Sequence, residues 1–262
     1  MNTDRNFDDL AQRFSKNIYG NPKGELRLAL SWRELTEKLP SISDGSTLNI
    51  WDAGGGLGQL SERFLEQGHR VHLTDISSNM LAVAGERLQD YCEQGQLKIE
   101  CAPLQNMAVQ LAEVDRFDVI SCHAVLEWVA DAEQVLASLV SCLRPGGYLS
   151  LMFYNLNALV LANMVKGNLY KLRDEEFAGH PGGLTPPNPR NPEQVIAELE
   201  KLGLQVEAKR AVRLCYDLMP RAVRAERSIE DMLEIDWQYG AQEPFWALGR
   251  YVHLLCRKPE SL

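Results

Sequence analysis

The stretch "NIWDAGGGLGQL", residues 49–60, sets four glycines in five positions directly after a short apolar run that ends in Asp52. Glycine is costly to order, so such a cluster marks a backbone that turns sharply or admits something close. The run before it, residues 47–52, reads as a buried strand, and residues 57–69 read as the helix that follows. A strand-turn-helix unit with glycines in the turn places a ligand at the carboxyl end of a parallel sheet. The spacing narrows the ligand. A dinucleotide fingerprint begun at Gly54 and Gly56 would need a third glycine where Gln59 stands, and no lysine follows Gly58 as a P-loop requires. Phosphate binding of either kind is disfavoured.

Outward from this turn, strand and helix signals alternate. Residues 70–75 (RVHLTD), 97–102, 117–123 and 148–154 read as four further strands. Between them, residues 77–95 read as a helix capped by Ser77 or Ser78, and residues 132–143 as a helix ended by "RPGG" at 144–147. After Tyr154 the alternation stops: a possible helix at 158–165 leads into "GHPGGLTPPNPR" (179–190), read as an insertion loop. A helix with Asn191 as cap and Pro192 in its first turn follows, then a strand at 204–214, a helix at 226–240 and a last strand at 248–259. The expected fold is α/β, a doubly wound, mostly parallel seven-stranded sheet in one domain spanning 1–262. Its parts are an N-terminal helical arm (1–45), a cofactor-binding core (46–154), the insertion (155–190) and a C-terminal part of the sheet on the substrate side (191–262).

Composition bounds the function. With 262 residues, 45% of them hydrophobic, the chain can bury a sizeable core. Six cysteines, at 92, 101, 122, 142, 215 and 256, form no CxxC pair and sit mostly in apolar runs, as reduced core cysteines do. No apolar run approaches a membrane span, and the opening "MNTDRNFDDLAQRF" is polar and acidic, unlike a secretory leader. A cytoplasmic protein is expected. The five histidines (69, 72, 123, 180, 253) lack metal-ligand spacing, so no metal is expected. A net charge of −9 argues against a general nucleic-acid coat, yet residues 190–227 carry eight basic residues against six acids, leaving room for a local basic site.

The spacing Asp52-x-Gly54-x-Gly56-x-Gly58 resembles the first motif of class I S-adenosylmethionine-dependent methyltransferases. The resemblance implies that Gly54 and Gly55 let the backbone pass beneath the methionine part of the cofactor, and that Asp75, ending the next strand, accepts from both ribose hydroxyls. It further implies that Leu104 and Gln105 in "CAPLQNM" contact adenine and that His123 in "CHAVLEWVAD" faces the cofactor. "LRPGGYL" (143–149) is a structural turn of this fold. Beyond the core, residues 4–30, 122–132, 143–168, 188–203 and 242–259 are together similar to the bacterial tRNA 5-carboxymethoxyuridine methyltransferases, nearly end to end. This implies methyl-ester formation on the carboxylate of a modified wobble uridine in the tRNA anticodon loop, with Arg27 holding the methionine carboxylate of the cofactor.

An ionised carboxylate needs no general base, so the chemistry rests on positioning and no catalytic acid or base is assigned. A cation must orient the substrate. Candidates are Arg190, Arg213 and Arg250, with Tyr154 and Asn155 as neutral contacts; Tyr19 and Tyr154 are candidates for base stacking, and Trp128 reads as core. The insertion "LRDEEFAGHPGG" lacks the lysine-rich run that relatives can carry. The glycines, Asp75 and His123 would equally serve a small-molecule carboxyl or hydroxyl methyltransferase, or a non-catalytic sensor of the cofactor.

Overall fold

The computed structural model describes residues 4, 6, 8, 22–111, 116–177 and 185–260. Within them a seven-stranded sheet runs in the order β3-β2-β1-β4-β5-β7-β6. The strands are β1 (Asn49–Ala53), β2 (Arg70–Asp75), β3 (Leu97–Cys101), β4 (Phe117–His123), β5 (Leu143–Tyr154), β6 (Gln205–Val212) and β7 (Tyr251–Arg257). All neighbours are parallel except β7, which is antiparallel to β5 and β6. The order reverses between β1 and β4, which puts the crevice of a doubly wound sheet over their carboxyl ends.

Alternation along the buried strands sorts side chains to two faces. On one face, Trp51, Ile120, Leu149, Leu151 and Val252 join the helices α5 (Leu104–Leu111), α6 (Ala132–Cys142) and α9 (Pro192–Lys201). On the other, Ile50, Leu73, Val119 and Leu255 pack with α1 (Pro22–Lys38), α2 (Gln59–Glu66) and α3 (Ser78–Arg87). Ser77 caps α3, its hydroxyl accepting from Met80 N, and Asn191 caps α9 ahead of Pro192. A short α4 (Gln89–Glu93) splits off from α3.

Two boundaries differ from the sequence reading. The last strand pair is as expected, but β5 starts at Leu143 rather than 148, because Leu143 already pairs with Phe117 before the register shifts and resumes at Val119 opposite Tyr148. The "RPGG" turn is thus a bulge inside a strand edge. The region after Tyr154 also holds more structure than a loop: α7 (Leu156–Val165) and α8 (Leu169–Arg173) follow it, and Asn155 and Arg190 close a parallel bridge that extends the end of β5. Between β6 and β7 lie α10 (Leu214–Leu218), α11 (Arg221–Arg224) and α12 (Ile229–Gly240). No helix of the described residues is long and apolar enough to cross a membrane.

Candidate active site

The glycine turn is shaped by what surrounds it. Gly54 N and Gly55 N both donate to Thr74 O, at 2.8 and 3.1 Å, which pulls the turn against the end of β2. Gly54 has φ of +74°, a conformation side chains rarely adopt. At Gly55 the constraint is room: a Cβ there would lie 2.5 Å from Asp52 Oδ2 and 2.5 Å from Leu73 Cδ1. Asp52 cannot yield easily, since its buried carboxylate accepts from Ser61 Oγ at 2.6 Å and Ser121 Oγ at 2.9 Å. Burial pushes its pKa up, and the two hydroxyls oppose that. Asp52 is therefore the tie between β1, β4 and α2.

Asp75 stands at the end of β2, facing the turn. Its Oδ2 accepts from Gly56 N at 3.0 Å and its Oδ1 from Ser77 N at 2.8 Å. Burial raises its pKa while these N–H groups lower it. Each oxygen keeps a second lone pair, so the carboxylate can still accept one bond per oxygen from a diol. Leu104 and Gln105 open α5 beyond β3. The side chain of Leu104 is buried in the core rather than offered to a ring, so its backbone is what the cleft meets. Gln105 Nε2 donates to Asp4 Oδ2 at 3.1 Å.

That last contact belongs to a feature the sequence does not announce. Asp4 also accepts from Ala130 N at 2.8 Å, Asn6 Nδ2 donates to Ile76 O at 3.2 Å, and Asp8 accepts from Ser77 Oγ and Asn79 N. The N-terminal arm thus crosses the loops after β2, β3 and β4. Short acidic residues in a polar stretch carry no periodic signal, so only the fold reveals the contacts. Tyr19 lies outside the described residues.

His123 ends β4, where its Nε2 meets Ser150 Oγ at 2.7 Å. Burial, then the charges of His253 and Arg27, hold its pKa well below the ordinary value, so the ring is neutral. Arg27 projects from α1 into the same space, with its guanidinium 5.8 Å from the Tyr251 ring centre. Glu127, fully buried in the loop after β4, has both carboxylate oxygens without a hydrogen-bond partner. Burial pushes it up to about 7, against the pull of nearby backbone N–H groups and of Arg27 and Arg190. These residues fit the cofactor that the motif implies: a glycine cradle a Cβ would fill, a carboxylate with spare lone pairs, and a guanidinium for a carboxylate. No group of three or more His, Cys, Asp or Glu placed to hold a metal occurs among the described residues.

Across the mouth of the sheet, over β5 and β7, cations and tyrosines gather. Arg250 lies 4.7 Å above the Tyr154 ring, which stands edge-on to Tyr251 at 5.7 Å. Arg213, at φ of +60°, has its guanidinium 5.7 Å from both Tyr216 and Tyr251 and pairs with Asp217 at 2.7 Å. Lys23 sits close enough that burial and the charges of Arg213, Arg224 and Arg250 lower its pKa, with Asp217 opposing. The buried Tyr154 hydroxyl has no partner. A cavity of about 710 Å³ opens from Tyr154 and Arg250 past Asn163, Lys166 and Lys171.

Two sequence candidates are engaged elsewhere. Arg190 donates through Nε at 2.9 Å to Leu126 O, and through Nη2 to Leu126 O and Val129 O, stapling the loop after β4. Asn155 is fully buried; its amide donates to Ala247 O and Gly249 O, and its carbonyl caps α7. Trp128 is partly buried.

Residues 51–149 match the family model described as a methyltransferase domain. Over 98% of both chains, the sequence is 43% identical to the tRNA 5-carboxymethoxyuridine methyltransferase of Escherichia coli (strain K12). Among solved structures, the magnesium protoporphyrin IX methyltransferase of Synechocystis PCC 6803 with bound SAH matches at TM-score 0.63 and 16% identity, covering 96% of each chain. An S-adenosylmethionine-dependent methyltransferase from Mesorhizobium loti matches at TM-score 0.56 and 17% identity, over 87% of this chain and 97% of that one. At such identities the two structures speak for the fold.

Proposed function

The chain belongs to the tRNA 5-carboxymethoxyuridine methyltransferase family, and we propose that it methylates the carboxylate of 5-carboxymethoxyuridine at the tRNA wobble position, with S-adenosylmethionine as donor, forming the methyl ester. The observation that carries the reading is an anion site in an acidic protein. Lys23, Arg27, Arg213 and Arg250 converge on Tyr154 and Tyr251 beside the end of β4, in a chain of net charge −9. A cluster of like charges costs stability unless an anion shares the space, so its placement next to the cofactor residues points to an anionic substrate.

On this reading Asp75 accepts from the ribose hydroxyls, Gly54 and Gly55 pass beneath the methionine part, and Arg27 forks its carboxylate. Gln105 and the backbone at Leu104 border adenine, and His123 faces the methionine end. Bound S-adenosylmethionine supplies a sulfonium methyl, an electrophile that an ionised carboxylate accepts with no proton to remove. The protein's task is alignment. Arg213 and Arg250 orient the substrate carboxylate, and the Tyr154 hydroxyl, lacking an internal partner, donates to it. Each cation is already partly engaged by Asp217 or an aromatic ring, so the carboxylate is held without being fully neutralised. Arg190 supports this floor through backbone carbonyls rather than touching substrate.

The anticodon loop would enter over α7 and α8, where Met164, Val165, Leu169 and Tyr170 are exposed beside Lys166 and Lys171. Apolar and aromatic surface next to lysines suits unstacked bases and phosphates of a single-stranded loop. The proposed setting is the cytoplasm. The test is to incubate the protein with labelled S-adenosylmethionine and tRNA that carries the acid but not its ester, then weigh the digested nucleosides. One added methyl on 5-carboxymethoxyuridine, removed by mild base, is the expected result. Cofactor binding without transfer to that nucleoside, or transfer to small carboxylic acids alone, overturns it.

A further inference from the structure

Behind His123 a line of buried polar groups crosses the sheet on the α1 face. Arg210 Nε donates to Glu34 Oε1 at 3.0 Å; Glu34 Oε2 meets His253 Nδ1 at 2.6 Å; His253 Nε2 meets Ser150 Oγ at 2.8 Å; and Ser150 Oγ meets His123 Nε2 at 2.7 Å. The line joins α1, β6, β7, β5 and β4. Glu34, Ser150 and His253 are at most 1% exposed, and Arg210 is 5% exposed. Stability alone does not call for such a device, since well-packed apolar residues would serve as well or better.

We propose that Glu34, His253 and Ser150 are positioning residues that fix the tautomer of His123, keeping its proton on Nε2 and leaving Nδ1 as a bare acceptor toward the cofactor cleft. The argument is a count of protons. Burial works against charge on Glu34, but the bond and charge of His253 together with Arg210 hold its carboxyl below the usual range, so it is an acceptor only. His253 Nδ1 must therefore donate. Glu34 and Arg210 cancel in charge, and a proton added to His253 would leave a net positive charge in a fully enclosed line already facing Arg27. His253 is thus neutral, and its Nε2 accepts. The acceptor takes the single proton of the Ser150 hydroxyl, which leaves that oxygen to accept from His123 Nε2–H. His123 is neutral and has one proton to give, so Nδ1 carries a lone pair.

A lone pair there suits a hydrogen-bond donor. Resting on the function proposed above, that donor is the ammonium group of the cofactor's methionine part, with Arg27 taking the carboxylate of the same zwitterion. The opposite tautomer would present N–H to ammonium.

The test is nitrogen NMR on protein labelled at its histidines, with the His123→Gln variant identifying the His123 signals and titration of S-adenosylhomocysteine followed by calorimetry. In the wild-type protein His123 should be the Nε2–H tautomer with and without ligand. Ser150→Ala should give a mixture of tautomers and weaken S-adenosylhomocysteine by roughly 3- to 10-fold, the worth of one hydrogen bond; Ser150→Thr, which keeps the hydroxyl, should restore both. An Nδ1–H tautomer in the wild-type protein overturns the proposal, whether or not any variant folds, as does an unchanged tautomer in folded Ser150→Ala. Asp75→Ala separates this from the cofactor reading: if it leaves S-adenosylhomocysteine affinity intact, the cofactor assignment fails, whereas its loss alongside an unaltered His123 in Ser150→Ala sinks the relay alone.

Discussion

The two sides of the sheet's mouth are built by different means. The β1–β2 side is made largely of backbone and is contiguous: Gly54, Gly55, Gly56 and Asp75 come from one strand-turn-helix-strand unit, and their contacts are peptide N–H groups. The β5–β7 side is made of side chains drawn from far apart, Lys23 and Arg27 on α1, Tyr154 at the end of β5, Arg213 after β6 and Arg250 before β7. A backbone site tolerates few residue types at fixed spacing, while a side-chain site can be assembled from many positions. Changes on the first side should strike cofactor binding, and changes on the second should strike the RNA substrate.

The sharpest separation should come from Asp75→Ala. It removes two charge-assisted hydrogen bonds to the diol, each worth about 1.5 to 3 kcal/mol, so S-adenosylhomocysteine affinity should fall 100-fold or more while tRNA affinity holds. Calorimetry with each ligand checks this, and equal losses on both would erase the division. Next is Gly55→Ala, which touches no ligand. Its Cβ would press on Asp52 and Leu73, and overpacking of that kind costs roughly 1 to 3 kcal/mol. Urea unfolding should show the loss; an unchanged midpoint would mean that the turn has slack, contrary to the geometry.

The same contrast explains what can be read from the amino-acid sequence. Strands buried on both faces leave apolar runs, and a turn that cannot hold a Cβ leaves glycines, so the sheet and the cradle are both legible in the chain itself. Ser77 and Asn191 are legible as caps because capping is local. Position does not resolve Arg190: it borders the insertion as expected, but its guanidinium turns inward to Leu126 and Val129, a choice set by carbonyls more than sixty residues away. Leu104 lies where a cofactor loop is expected, yet its side chain faces the core because it opens a helix packed on α6. Asp4 and Asp8 are invisible to sequence reasoning because nothing near them in the chain marks their partners.

On the second side, Arg250→Gln should leave S-adenosylhomocysteine affinity within twofold and raise KM for tRNA by roughly 30-fold, the scale of truncating one partner of a charged pair. Steady-state kinetics with excess cofactor checks it. A fall in kcat at unchanged KM would move Arg250 from holding the substrate to aligning it.

Glu127 lies where the two sides meet, within the influence of Arg27 and Arg190, and offers the smallest and most diagnostic effect. Its folded pKa of about 7 stands above the ordinary 4.5, so between these values the folded protein keeps a proton that the unfolded chain has released. Stability from this group must then decline as pH rises through that window and level off above it. Glutamine at 127 cannot ionise and has no such slope. Comparing urea unfolding of wild type and Glu127→Gln without ligand at pH 5 and pH 7 isolates the group, because every other titration is shared. The variant should gain about 1 to 2 kcal/mol relative to wild type over that interval. Parallel curves would mean that Glu127 ionises normally and that an internal partner, rather than burial, governs the junction between the two sides.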